Sequence, residues 1–136
     1  MIEQIVSKNS KILYDAKHNI MGMVFIGDIK DEAYKEIWLN ALNVASEHNV
    51  KRILIDQRQI GNVSFSARGW VMVSMFPKIK KQLGANLHGA ILASKNMVHK
   101  SGVQFLVKAF QKVSGFNIQF FNDQEGGVQW LATTEV

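Results

Sequence analysis

Hydrophobic positions along the chain switch between a period of two and a period of three to four, and the switches predict the elements. Residues 11–15, KILYD, and 20–27, IMGMVFIG, are apolar runs of strand length. The polar AKHN between them reads as a turn, so the pair predicts a hairpin. In the following stretch Tyr34, Ile37, Trp38, Ala41, Leu42 and Ala45 recur at steps of three and four, which marks one face of a helix. Asp28 or Asp31 is placed to cap its start, where acidic side chains also suit the helix dipole. KRILID, residues 51–56, is continuously apolar after its basic start, as expected of a central parallel strand covered on both faces.

The second half repeats the alternation. A helix is predicted from Ser66 to Leu83, with Gly84 as its stop and Pro77 placed to kink or divide it. HGAILAS, residues 88–94, is a short buried strand, followed by a helix over residues 102–113 with Val103, Leu106, Val107 and Phe110 inward. Ser101 is placed to cap that helix and Gly115 to end the connection. NIQFF, residues 117–121, is the last strand, and Asn122 with Glu125 has capping-box spacing before a final helix. The order is β-β-α-β-α-β-α-β-α. It predicts a single α/β domain over residues 1–136, with a mixed, mostly parallel five-stranded sheet and right-handed crossovers.

The second helix departs from the usual pattern. WVMVSMF, residues 70–76, is apolar nearly all round, whereas a helix on a sheet hides one stripe and shows water a polar face. Trp70, Met72, Val73, Met75 and Phe76 cannot all point at one sheet, and Phe105 on the third helix adds to the surplus. Burial of each large apolar side chain is worth about 1.5–3 kcal/mol, so two or three left in water forfeit much of a domain's stability. A second copy of the chain or a lipid-like ligand would cover them; the alternative is a core that wraps further round this helix. Methionine suits either cover because its thioether adapts to irregular shapes.

Composition narrows the chemistry. The 136 residues are 47% hydrophobic and contain no cysteine, which removes disulfides, thiol nucleophiles and cysteine-held metals. The start, MIEQIVSKNS, lacks a signal-peptide pattern and no apolar run is long enough to span a bilayer, so a soluble, cytoplasmic protein is expected. The net charge is +5, and no Asp or Glu occurs from Gly69 to Asn122, where Lys78, Lys80, Lys81, Lys95, Lys100, Lys108 and Lys112 fall. That span could meet an anionic surface or be simply a solvated face. No nucleic-acid module signature is present, and nucleic acid is not an expected partner.

Among polar residues, Asp56 ends the KRILID strand, where open α/β sheets place their ligand crevice. It could act as a base or a cation ligand; it could equally tie down the loop beyond it or pair with Arg58 or Arg68. Ser64 or Ser66 is placed to cap the second helix. A phosphate there would meet a helix N-terminus beside Arg68. The histidines, His18, His48, His88 and His99, form no HExxH pair, and no GxSxG, Walker or GxGxxG motif occurs. No catalytic residue, metal site or cofactor is expected.

Three stretches together resemble a known group. They are ILYDAKHNIMGMVFIGDI leading to a helix with inward Trp38, RILIDQRQIGNVS, and the tail FNIQFFNDQEGGVQWL with Trp130-Leu131. The order resembles the STAS domains of anti-sigma-factor antagonists and, more closely, the small bacterial SpoIIAA-like proteins grouped as STAS/SEC14-like. The resemblance implies a non-enzymatic binding or regulatory module acting through protein–protein contact, often as a homodimer. In the matching region it offers Ser64 and Ser66, which with Asp56 and Arg68 make up a candidate regulatory loop. The Asp-Ser-x-Gly phosphorylation signature is not present, since Phe65 precedes Ser66 and Ala67 follows it. The SEC14-like side implies an alternative, a carrier or sensor of a small apolar or lipid-like ligand, with Trp70, Met72, Phe76 and Phe105 as its apolar surface or as a dimer contact.

Overall fold

A computed structural model describes residues 1–93, 108, 111–112 and 115–135. The expected helix over residues 102–113, with Ser101, Phe105 and His99, lies largely or wholly outside them. One sheet runs through the structure, with six strands in the order β1-β2-β3-β4-β5-β6. These are β1 (Ile2–Val6), β2 (Ser10–Asp15), β3 (Ile20–Gly27), β4 (Arg52–Ile60), β5 (His88–Leu92) and β6 (Asn117–Phe121). The first three pair antiparallel and the rest parallel, as alternation with helices requires.

The expected count of five strands is corrected to six. β1 is an edge strand whose side chains are mostly exposed, and its register shifts between Glu3 and Ile5. An exposed strand with an irregularity carries no clean apolar alternation, so its sequence gives no strand signal. β4 also runs past Asp56 to Ile60, because a register shift against β3 between Val24 and Ile26 re-aims the strand and lets pairing continue.

Helix α1 (Asp31–Glu47) buries Tyr34, Ile37, Trp38, Ala41, Leu42 and Ala45, the expected stripe. Neither aspartate caps it. Lys30 stands at the cap position, Asp31 is its first residue, and Asp28 instead accepts a 2.7 Å hydrogen bond from the Asn62 amide. The second helix is continuous but not uniform: α2 (Phe65–Trp70), a π-helical turn (Val71–Met75) and α3 (Phe76–Leu83). The Phe76 amide donates to the Val71 carbonyl, five residues back. The wide turn lies just before Pro77, whose ring would clash with the carbonyl four residues earlier in a regular helix. Pro77 therefore sets off a change of pitch within one rod. Gly84 ends the rod with φ of 89°, a conformation open to glycine.

The buried stripe explains why the π turn fits. Ala67, Val71, Met75, Ile79 and Leu83 are all buried and spaced four apart. At 3.6 residues per turn, a spacing of four drifts by about 40° at each step, or about 160° over this stripe. A wide turn takes back part of that drift, so the stripe stays over the sheet.

The sheet has two unlike faces. On one, α1 and the second helix cover a large cluster built on Met21, Met23, Phe25, Trp38 and Met75. On the other, helix α4 (Gln124–Thr133) covers a smaller cluster of Ile20, Leu54, Ala90, Leu92 and Leu131. Asp123, not Asn122, caps α4: its Oδ1 accepts a 2.7 Å hydrogen bond from the Gly126 amide. Gly127 lets α4 approach closely, since a Cβ there would stand 3.0 Å from both Leu54 Cδ1 and Leu92 Cδ2.

At the amino ends of the parallel strands on the α4 face, the His88 ring stands edge-on to Trp130, 5.9 Å between centroids, and its Nδ1 lies 3.2 Å from Asn117 Nδ2. Arg52 Nη2 nearby donates to the Thr134 carbonyl. Burial lowers the His88 pKa, and the positive charge of Arg52 lowers it further, against an opposing backbone contribution at Glu135.

Two measurements check this packing. Gly127→Val should overpack the α4 interface and cost about 1–3 kcal/mol in urea unfolding, despite valine's better helix propensity. His88 binds a proton more readily unfolded than folded. Stability should therefore fall as pH drops from the unfolded value near 6.5 toward the lower folded pKa, then level off. His88→Gln should flatten that slope in urea midpoints measured between pH 8 and 5.

Candidate functional site

Strand alternation separates the residues that the sequence groups together. In β4, Leu54 packs with the α4 cluster, while Ile53 and Ile55 pack against the other cluster. Asp56 has the parity of Leu54, so it faces α4. It is 5% exposed and bound by Arg58 three ways: the backbone amide and Nε donate to Oδ1 at 3.0 Å each, and Nη2 donates to Oδ2 at 2.9 Å. That ion pair raises the Arg58 pKa against a smaller effect of burial, and Asp123 adds to the rise. Asp56 thus ties down its own loop and pairs with Arg58 rather than Arg68. Among the described residues, no group of three or more His, Cys, Asp or Glu could hold a metal ion.

Ser64, Ser66 and Arg68 lie on the opposite side. Ser64 is the α2 cap: its Oγ accepts from the Ala67 amide at 3.0 Å and donates to Asp31 Oδ1 at 2.7 Å. A phosphate on Ser64 would therefore meet the Asp31 carboxylate directly, which opposes it. Ser66 is exposed on the first turn of α2, and Arg68 is exposed on the next.

The described helices on this face leave space above the sheet. A cleft of about 530 Å³ lies there, within the range of roughly 300–1,000 Å³ typical of small-molecule sites. Its floor is the row of Ile53, Ile55 and Gln57 from β4, Gly89 and Ile91 from β5, and Ile118 and Phe120 from β6. Tyr34 and Trp38 line it from α1; Arg68, Val71, Met72, Phe76 and Ile79 line it from the second helix. Met72 and Phe76 sit beside the buried stripe, not on it, which is why they face the cleft.

The expected apolar set is divided accordingly. Met72 and Phe76 line the cleft; Trp70 is half-buried next to α1, with Lys35 Nζ 5.5 Å from the centre of its ring. Phe105 lies outside the described residues. Of the apolar surplus, Met75 is fully buried and Val73 is 77% exposed; Phe65, the residue next to the cap, is 85% exposed. Sequence reasoning placed Tyr34 and Trp38 only in a core stripe and missed Gly89, Phe116 and Phe120 as lining. The signal for Gly89 was a glycine inside an apolar strand, which marks either a bulge or open space above the sheet.

The cleft is polar at one end. Gln57 in the last half of β4, Asn62 in the loop beyond it, Tyr34 near the start of α1 and Arg68 in α2 supply the polar groups, because α1 and α2 both begin near the carboxyl end of β4. The Ile29 amide donates to the Asn62 carbonyl, which fixes the loop against the start of α1. Burial raises the Tyr34 pKa; the neighbouring Trp38 indole and the charge of Arg68 pull it down. Trp38 Nε1 is buried and makes no hydrogen bond of regular geometry among the described residues, with the Tyr34 hydroxyl in loose contact. The far end, with Ile79, Leu87 and Phe116, is largely apolar, with His88 at its margin.

No family model matches the chain, and no curated protein is similar to it. A solved structure is similar in three dimensions: an uncharacterized protein of the DUF3478 family with a SpoIIAA-like fold, from Shewanella loihica PV-4. The match has a TM-score of 0.63 at 14% sequence identity, and covers 94% of this chain and 99% of that one. With the strand order and the helix placement, this likeness identifies the fold of the chain as SpoIIAA-like.

Proposed function

We propose that the chain is a non-enzymatic binding or regulatory module, and that what it binds is a small apolar or lipid-like molecule in the cleft above β4, β5 and β6. The observation that carries this reading is the cleft itself: about 530 Å³, floored by aliphatic side chains and roofed by Met72 and Phe76. Packed interiors leave few such voids, because lining atoms without neighbours lose their dispersion contacts. A methionine beside an aromatic ring makes an adaptable wall. Asp56, the best-placed acid, is occupied by Arg58, which supports binding without catalysis.

A second reading, regulation through protein–protein contact as a cytoplasmic homodimer, is supported by the fold and by Phe65 and Val73, both left in water on the outer side of the second helix. Met72 is not part of that outer surface, so a dimer contact would centre on Phe65 and Val73. No helix among the described residues is long and apolar enough to cross a membrane.

Gly89 offers the test. A Cβ there would make an ordinary contact, 3.7 Å from Ile118 Cγ1, and the rest of a valine side chain would enter the cleft. Gly89→Val should hold or raise the unfolding midpoint, since glycine weakens a strand. It should also cut binding of the neutral apolar probe N-phenyl-1-naphthylamine at least severalfold. Failure of the parent protein to enhance the probe's fluorescence, or equal enhancement by the variant, would count against the cleft as the binding site.

A further inference from the structure

Resting on the cleft reading, we infer that the ligand is a single-chain amphiphile with an anionic oxyanion head, read by Arg68 at the polar end, its tail lying toward Leu87 and Phe116. Arg68 is the one formally charged side chain among the described lining residues. It has no carboxylate within salt-bridge distance among the described residues, although α1 and the preceding loop bring two nearby. Both are engaged elsewhere: Asp28 accepts from the Asn62 amide, and Asp31 accepts from the Ser64 hydroxyl. Arg68 thus borders a cleft whose described lining residues supply its guanidinium with no countercharge. That arrangement suits a carboxylate or phosphate monoester, which it can grip with two parallel hydrogen bonds.

A second observation points the same way. Trp38 lines the cleft and is nine-tenths buried, and its Nε1–H makes no hydrogen bond of regular geometry among the described residues, the Tyr34 hydroxyl beside it offering only a loose contact. A buried donor so weakly paired costs stability and calls for an explanation. The Tyr34 hydroxyl lies in the same region, close enough for both Arg68 and the indole to bear on its acidity. An oxyanion at this end gives the group an acceptor beside a cation. A neutral head leaves Arg68 unused, and a cationic head is repelled. The volume, about 530 Å³, is on the scale of a drug-sized ligand, which suits one chain.

The experiment compares heads on one tail. Decanoate, decyl phosphate and 1-decanol are titrated into the full chain by calorimetry at low salt and pH 7.5, below their aggregation limits. At least one anion should bind roughly tenfold tighter than the alcohol, as expected of a charge-assisted hydrogen bond. The tighter of the two anions identifies the head as carboxylate or phosphate, and either result supports the inference. Arg68→Gln, a change at an exposed position, should bring the anions down to within about twofold of 1-decanol measured on the same variant. Arg68→Lys should restore part of the preference. Equal binding of alcohol and anions by the parent, or a preference that survives in Arg68→Gln, overturns the head-group assignment and leaves the apolar cleft standing. Binding of none of the three overturns the cleft reading, and the assignment with it.

Discussion

The second helix rests on the sheet through a stripe with a spacing of four, Ala67, Val71, Met75, Ile79 and Leu83, and much of the remaining structure follows from holding that stripe in place. A regular helix would rotate these residues progressively off the sheet, and the π turn at Val71–Met75 corrects the rotation where the strain of Pro77 already calls for it. Once the stripe is fixed, its neighbours have set directions. Met72 and Phe76 fall to one side and roof the cleft. Trp70 falls to the other and packs beside α1 under Lys35. Phe65 and Val73 are left outside.

Two glycines show how the faces differ. Gly127 removes volume so that α4 can settle onto Leu54 and Leu92, and the packing there is tight enough that a single Cβ would press on both. Gly89 removes volume from the opposite face, where no described helix comes down to use it. The same residue type therefore closes one interface and opens another. The large cluster still holds together around the gap through aromatic contacts: Phe25 lies 5.6 Å from Tyr34 and 6.1 Å from Trp38, and Trp38 lies 6.0 Å from Phe76, measured between ring centres.

Three carboxylates at the carboxyl end of the strands are occupied by the fold. Asp56 holds Arg58, Asp28 holds Asn62, and Asp31 holds Ser64, which in turn caps α2. These bonds join the loop after β4 to the starts of two helices and build the rim of the cleft. Arg68 and the Trp38 indole stand out against that background, and a binding role for this end of the cleft follows from that contrast and not from any catalytic motif.

What the sequence alone determined was the set of elements and their order, because each depends on local spacing. The stripe of α1, the hairpin of β2 and β3, the cap at Ser64 and the stop at Gly84 are all legible from residues a few positions apart. β1 was not legible, because an exposed, irregular edge strand has no core side to set a period. The capping aspartates were misplaced for a related reason. Neighbouring acids such as Asp28 and Asp31, or Asn122 and Asp123, are equivalent in sequence, and only the path of the chain decides which one reaches a free amide. The candidate site depended on tertiary structure in full. Residues 56 to 68 look like one loop constellation, yet the pleat sends Asp56 to one face and leaves Ser64 and Arg68 at the other. The cleft is made from strands and helices far apart in sequence, and its volume is what remains after their packing is settled, so no stretch of the chain carries it.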